Sequence, residues 1–164
     1  SMHQQLLFMK MEEAMDNHGN DTGRKTAAAS ALHHIAEAIH KRSLVIIFSD
    51  MMESGDHNDE LFSALQHLKY NKHEVILFHV TDKKRELEFG FENRPYQFID
   101  VETGETVKVH SNLVKEMYLE KMNQALHELK VRCAQYSIDL VEADIHAGYR
   151  QILLPYLIRR QKMK

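Results

Sequence analysis

Two short apolar runs in the chain end on a hydroxyl and a carboxylate. The first lies in "SLVIIFSD", which covers residues 43–50 and ends on Asp50. The second lies in "EVILFHVTD", which covers residues 74–82 and ends on Asp82. Continuous runs rich in β-branched residues are typical of strands covered on both faces in the middle of a parallel sheet. We therefore predict two fully buried strands.

The segments around these runs show helical spacing. A helix is predicted from about His3 to Asp16, a second over residues 25–42 and a third over residues 59–72. The second helix carries its buried face at the i, i+3, i+4, i+7 spacing of Leu32, Ile35, Ala36 and Ile39. A strand–helix–strand order is the pattern of a right-handed crossover, so we predict a three-layer α/β domain.

The second half of the chain changes pattern. "LEFGF" and "YQFIDVETGETVKVH" alternate apolar and polar residues, which predicts an antiparallel ribbon. A long helix follows over residues 111–137, with Ser111 as its N-cap. Its apolar stripe is predicted to pack on the sheet and consists of Leu119, Met122, Leu126, Leu129 and Cys133. "IDLVEAD" reads as a third strand, and "AGYRQILLPYLIRRQ" as a final helix that Pro155 kinks or begins.

The composition favours an ordinary soluble domain. The 164 residues suit a single domain, and we regard residues 1–2 as the remnant of a cleaved tag. A net charge of -3 argues against nucleic acid as an obligatory partner. The sequence has neither a membrane-spanning run nor a signal peptide, and its single Cys133 excludes an internal disulfide. We therefore expect a cytoplasmic protein in which Cys133 is a buried structural thiol.

Three predicted strands end in a carboxylate: Asp50, Asp82 and Asp144. In open α/β sheets ligands bind outside the carboxyl ends of the strands, and clusters of carboxylate oxygens suit a hard cation such as Mg²⁺. The alternative is that each Asp caps the loop or helix that follows it. The strand order, which the sequence does not reveal, decides which carboxylates are neighbours.

The usual signatures of metal centres and enzymes are missing from the sequence. The twelve histidines lack the spacing of a zinc site, since His33 and His34 point to different sides of a helix. We assign those histidines to a solvated helix face. The sequence contains no phosphate-binding G-x-x-x-x-G-K-[ST] loop, no G-x-G-x-x-G turn and no G-x-S-x-G elbow.

Three segments together resemble a known family. "KTAAASALHHIAEAIHKRSLVIIFSDMME", "LQHLKYNKHEVILFHVTDKKRELEF" and "YQFIDVETGE" resemble the C-terminal portion of the domain of unknown function 58 family. That family is similar to von Willebrand factor A domains, and its genes usually accompany MoxR-type AAA ATPases. The resemblance implies a Rossmann-like α/β/α sheet, truncated at its N-terminus, with an inserted antiparallel β-ribbon. It also implies a non-enzymatic interaction module that assists a MoxR-type ATPase in complex assembly or maturation.

The resemblance further implies a cation site. In A-type domains a divalent cation is held by a D-x-S-x-S strand end, a loop Thr and a later strand-end Asp, and Thr26 and Asp50 match the last two. D-x-S-x-S does not occur in these 164 residues. In the family it belongs to a first strand, and a chain that opens in mid-helix is expected to lack that strand. The resemblance thus predicts Mg²⁺ in the full-length protein, an empty site in this chain, and a homodimer through the bared sheet edge.

Two other hypotheses stay open. The first is a magnesium-dependent hydrolase or nuclease with Asp50, Glu53 and Asp82 as carboxylate ligands. The second is a scaffold whose ribbon, residues 85–105, is the docking surface for a partner.

Overall fold

The computed structural model describes residues 2–16, 25–39, 42–50, 56–92, 94–99 and 106–162. Its elements, in chain order, are α1 Met2–Asp16, α2 Lys25–Ala38, β1 Leu44–Ser49, α3 Asp56–Tyr70, β2 Glu74–Thr81, a π-helical turn Lys83–Leu87, β3 Pro95–Ile99, β4 Thr106–His110, α4 Ser111–Gln135, β5 Asp139–Asp144 and α5 Tyr149–Lys162. The predicted helices and the three predicted parallel strands are all present.

The main sheet is parallel and has the order β1-β2-β5. In its register Ile46 pairs with Ile76, and Phe78 pairs with Val141. Strand β2 is central, and its residues 75–78 are each at most 4% exposed. Because successive side chains of a strand point to opposite faces, both faces of β2 are covered, as the sequence predicts.

Two cores lie on the two faces of this sheet. The larger core contains Val75 and Leu77 of β2 and is closed by residues of α2, α3 and α4, among them Ala36, Leu65 and Cys133. The smaller core contains the alternate β2 residues together with residues of β5 and α5: Ile76, Phe78, Val141, Ala143 and Tyr156. Helices therefore cover both faces, which confirms the α/β class.

The prediction that β1 is covered on both faces is wrong. Leu44, Ile46 and Phe48 are 47%, 48% and 69% exposed, whereas Val45 and Ile47 on the opposite face pack against the larger core. The physical reason is that α5 packs on β2 and β5 through its buried Tyr156 and leaves this face of β1 uncovered. In the described part of the chain β1 is the edge of the sheet.

The antiparallel ribbon is confirmed for β3 and β4, which pair from Pro95–His110 to Ile99–Thr106. The prediction that "LEFGF" belongs to it is wrong. Residues 83–87 form the π-helical turn instead, and residues 88–92 are irregular. Phe89, with φ 48°, is buried and its ring centroid lies 4.9 Å from that of Tyr118 on α4. This contact holds the segment against α4.

Helices α3 and α4 end in the same way. Lys72 and Ser137 have left-handed φ values of 65° and 54°. One residue further on, the amide of His73 donates to the carbonyl of Leu68, and the amide of Ile138 donates to that of Cys133. This is the Schellman arrangement, which stops a helix and satisfies its last carbonyls. The chain turns at once into β2 and β5, so both helices end two residues earlier than predicted.

The buried faces of the helices follow the sequence pattern with one exception. Leu129 and Cys133 of α4 are buried as predicted, and burial raises the pKa of the Cys133 thiol to about 11. On α2 Ala36 is buried, but Ile35 is 37% exposed, so its predicted burial is wrong. Pro155 lies inside α5 and does not set its start. None of the described helices is long and apolar enough to cross a membrane.

Replacing a core leucine tests the larger core. Leu65 is fully buried, so we expect Leu65→Ala to lower the free energy of unfolding by about 2–5 kcal/mol, measured by urea denaturation. The matched control is Leu154→Ala on the outer side of α5, where the side chain is 57% exposed. That change should stay within about 0.5 kcal/mol. Equal losses for the two variants would contradict this core.

Candidate functional site

The three strand-end carboxylates lie at one edge of the sheet. Strands β1, β2 and β5 are parallel, and Asp50, Asp82 and Asp144 stand at their carboxyl ends. Because β2 is central, Asp82 lies between the other two strand ends. The structure therefore supplies the strand order that the sequence does not reveal.

Asp82 caps the π-helical turn that follows β2. Its side chain is almost fully buried and accepts a hydrogen bond of 3.0 Å from the amide of Arg85, in the π-helical turn. Its second oxygen lies 3.2 Å from Nε2 of His146, in the loop after β5. The amide of Arg85 and the His146 ring lower the pKa of the Asp82 carboxyl, so it is ionised at neutral pH. Its oxygens are already engaged by protein donors.

Asp144 also accepts a hydrogen bond from the backbone of the loop that follows it. Its Oδ1 accepts a hydrogen bond of 3.1 Å from the amide of His146, which is an Asx turn. The amide of Ile145 donates to the carbonyl of Thr81, at 3.0 Å. These bonds join the ends of β2 and β5 and fix where His146 meets Asp82.

Asp50 differs from the other two because it is exposed. Its backbone carbonyl accepts a hydrogen bond from the ring of His79, which is 1% exposed and lies between Ser49 and Glu142 in the register. Burial lowers the pKa of His79, against the opposing effects of this bond and of the negative charges of Asp50 and Glu142. The neutral imidazole of His79 thus holds the backbone of Asp50 in place through this hydrogen bond.

Glu86 joins this edge although the sequence analysis did not single it out. It lies in the π-helical turn, and burial raises the pKa of its carboxyl, as do the charges of Asp82 and Asp50. The amide of Asp82 donates to this carboxyl, yet Oε2 is buried with no hydrogen-bond partner among the described residues. The signal that could have found Glu86 is its spacing of four from Asp82, which places both residues on one turn.

Thr26 lies in the first turn of α2, and its side chain is outside the described residues, as is the whole of Glu53. Nδ2 of Asn71, just before β2, donates to the carbonyl of Ala36 at 2.8 Å, so the C-terminal end of α2 lies near the amino edge of the sheet. Fourteen helical residues span about 21 Å and six strand residues about 20 Å. Helix α2 is therefore long enough to span the sheet from its amino edge to its carboxyl edge.

These residues fit a cation only in part. Magnesium takes about six oxygen ligands, and Asp50 with Thr26 would supply two of them. Among the residues that the structure describes, no group of three or more His, Cys, Asp or Glu side chains could hold a metal ion. Asp50 and Thr26 would thus need additional ligands.

The prediction of a solvated helix face is wrong for His33 and right for His34. Nδ1 of His33, on α2, lies 3.0 Å from Nδ1 of His67, on α3, and both rings are partly buried. His34 is exposed. One ring nitrogen of the pair must donate and the other accept, so the contact helps to join α2 and α3 rather than to bind a metal.

The fold and this edge define an α/β domain with parallel strands whose carboxyl ends carry acidic residues. A family model described as "Protein of unknown function DUF58" matches residues 2–128. The chain therefore belongs to this family. No curated protein and no solved structure matches the chain. The matched region ends within α4, so β5 and α5 lie beyond it.

The buried His79 predicts a pH dependence of stability. Its folded-state pKa lies below the ordinary value of 6.5, so under mildly acid conditions the unfolded chain binds a proton that the folded chain does not. The free energy of unfolding should fall as pH drops below that value. We expect a shallower fall for His79→Gln, measured by urea denaturation between about pH 7.5 and about pH 5.5. Exposed His34→Gln is the control, and identical slopes for wild type and His79→Gln would contradict the assignment.

Proposed function

We propose that this chain is a protein-interaction module of the von Willebrand factor A-like type and not an enzyme. It would act in the cytoplasm with a MoxR-type AAA ATPase, in the assembly or maturation of other proteins. The supporting observation is that the three strand-end carboxylates differ in hydrogen bonding and in exposure. Asp82 and Asp144 are engaged by local hydrogen bonds, whereas the Asp50 side chain is exposed at the same edge. An exposed carboxylate on a rigid strand end is suited to contact with a partner.

The cation that this proposal includes is Mg²⁺, held by Asp50 and Thr26 with further ligands from water and from residues other than these two. When bound, the ion would provide a positive charge for a carboxylate of the partner. The residues of this chain around the site position Asp50. His79 is buried and donates to the Asp50 carbonyl, which holds the backbone of Asp50 at the strand end.

The hydrolase hypothesis receives less support. It requires Asp82 as a ligand, but the Asp82 oxygens accept from Arg85 and face His146. Moving the Asp82 side chain to a metal would uncap the π-helical turn and leave the amide of Arg85 without this acceptor. We therefore keep the interaction module as the preferred function.

The ribbon is a second candidate for the docking surface. Strands β3 and β4 form a sheet of their own, and Gln97 and Lys108 are an exposed cross-strand pair on it. Exposed polar side chains of this kind can contact a partner without any cation.

Substitution of Asp50 tests the preferred function. We expect Asp50→Asn to weaken binding to a MoxR-type ATPase of the same organism by about tenfold or more, because a neutral amide is a poor magnesium ligand. Binding of the wild type should depend on Mg²⁺ and be lost with EDTA. Binding is measured by surface plasmon resonance, with Glu116→Gln, an exposed acidic residue of α4, as the control.

Two further measurements distinguish docking through Asp50 from docking through the ribbon. Equal magnesium affinities of wild type and Asp50→Asn, measured by calorimetry, would overturn the cation assignment. Loss of ATPase binding in Lys108→Glu, with Asp50→Asn unchanged, would assign docking to the ribbon.

A further inference from the structure

Helix α5 has apolar residues on the side where a surface helix usually has polar ones. Ile152 and Tyr156 mark the side that packs on the sheet, in the smaller core. Leu154 lies two residues from each of them, about 200° around a helix, so it points away from the sheet. Leu157 and Ile158 follow Leu154 by three and four residues and share its face. These three residues, which we call the outer face of α5, are each about half exposed.

The outer face does not depend on how many strands the sheet has. The helices that cover a sheet form one layer on each of its faces. A further strand beside β1 or β5 would widen the sheet, and a helix packed on that strand would lie beside α5. The outer face would still be on the surface of this layer. A partner of this face therefore approaches from outside the layer.

Basic residues stand at both ends of the outer face. Arg150 precedes Leu154 by four residues and Lys162 follows Ile158 by four, so these residues form one row of about 18 Å along the helix. Arg150 and Lys162 are exposed. Residues 145–164 contain five of the chain's 21 basic residues and none of its 24 acidic ones, although the net charge of the whole chain is -3. The row is thus apolar in its centre and positive at its ends.

Two other basic residues hold α5 on the sheet. Arg160 forms an ion pair with Glu74 of β2 and donates to the hydroxyl of Tyr156 at 2.7 Å. The guanidinium carbon of Arg159 lies 5.8 Å from the centre of the Tyr156 ring. The outer face therefore belongs to a helix that is fixed on its opposite side.

We propose that α5 binds the surface of a lipid bilayer that contains anionic lipids, with its outer face towards the acyl chains. Helices of this kind lie in the plane of the membrane, with their apolar side chains about 5–10 Å deep at the boundary of head groups and acyl chains. Arg150 and Lys162 extend their aliphatic stems along this boundary and pair with the negative head groups. The cytoplasmic leaflet of a membrane carries such a negative charge. Helix α5 thus contacts the membrane without crossing it.

Three features favour lipid over nucleic acid or protein. A nucleic-acid backbone attracts basic residues but offers no apolar surface to the outer face. Protein interfaces are enriched in aromatic residues, whereas the outer face consists of leucine and isoleucine. Among the described residues, α5 supplies the helical part of the smaller core, and α2, α3 and α4 supply that of the larger core on the other face of the sheet. A flat bilayer can therefore reach α5 without meeting these three helices.

Vesicle binding tests the proposal. At low salt we expect the whole chain to co-sediment with vesicles that contain phosphatidylcholine and phosphatidylglycerol in equal amounts. Vesicles of phosphatidylcholine alone should bind it at least about tenfold more weakly, because each basic residue near an anionic surface contributes about fivefold in affinity. Binding should weaken as the salt concentration rises, since salt screens exposed charges.

Two double variants separate the charges from the apolar residues. Arg150→Gln with Lys162→Gln should weaken binding to the anionic vesicles by about 25-fold, which is about fivefold for each charge. Leu154→Gln with Ile158→Gln should weaken it by about tenfold or more, because less apolar surface leaves water on binding. Circular dichroism confirms that each variant is folded.

The matched control changes one charge and one apolar residue on another exposed helix face. Lys115 and Met117 of α4 are both exposed. Lys115→Gln with Met117→Gln should bind the anionic vesicles as tightly as the wild type.

Three results would overturn the proposal. The first is absence of binding of the wild type to the anionic vesicles at low salt. The second is wild-type affinity for these vesicles in either of the two double variants of α5. The third is binding to poly-L-glutamate that both α5 variants abolish, without binding to vesicles, since that result would assign the outer face to an acidic protein partner.

Discussion

Burial of β2 on both faces is the constraint on which the rest of the structure depends. Four consecutive side chains, Val75 to Phe78, exclude water on alternating sides, so helices must lie on both sides of the sheet. The same burial extends to His79, where it favours the neutral ring, and the ring needs an acceptor for its N–H. That acceptor is the Asp50 carbonyl. The packing of the central strand thus determines the geometry of the neighbouring strand end.

The carboxyl edge shows how local backbone decides what an acidic residue can do. Asp82 begins a π-helical turn and Asp144 an Asx turn, and each satisfies amides that would otherwise lack acceptors. Asp50 follows β1, which is the edge strand among the described residues, and is exposed. Glu86 adds a partly buried carboxyl with a raised pKa beside them. One edge therefore combines two structural carboxylates with the exposed Asp50 and the partly buried Glu86.

The sequence pattern predicts elements whose structure depends on residues close in the sequence. It fails where contacts between distant parts of the chain determine the structure. The stripe that includes Leu129 and Cys133 follows from helical periodicity, and the burial of β2 on both faces follows from its continuous apolar run. The run of β1 resembles that of β2, yet the number of neighbouring strands is a tertiary property that the run does not encode. "LEFGF" alternates like a strand, but the cap at Asp82 begins a helical turn just before it. Pairing of His33 with His67 depends on how α2 meets α3.

The ribbon of β3 and β4 has a consequence for how this domain could change during evolution. The described pairing of β3 is with β4, and in the described residues the ribbon and the parallel sheet are separate sheets. The aromatic contact between Phe89 and Tyr118 anchors the ribbon's approach segment to α4. Insertions, deletions and new side chains in the ribbon would therefore leave the register of the parallel strands intact. Recognition could diversify there while the core sequence stays under packing selection.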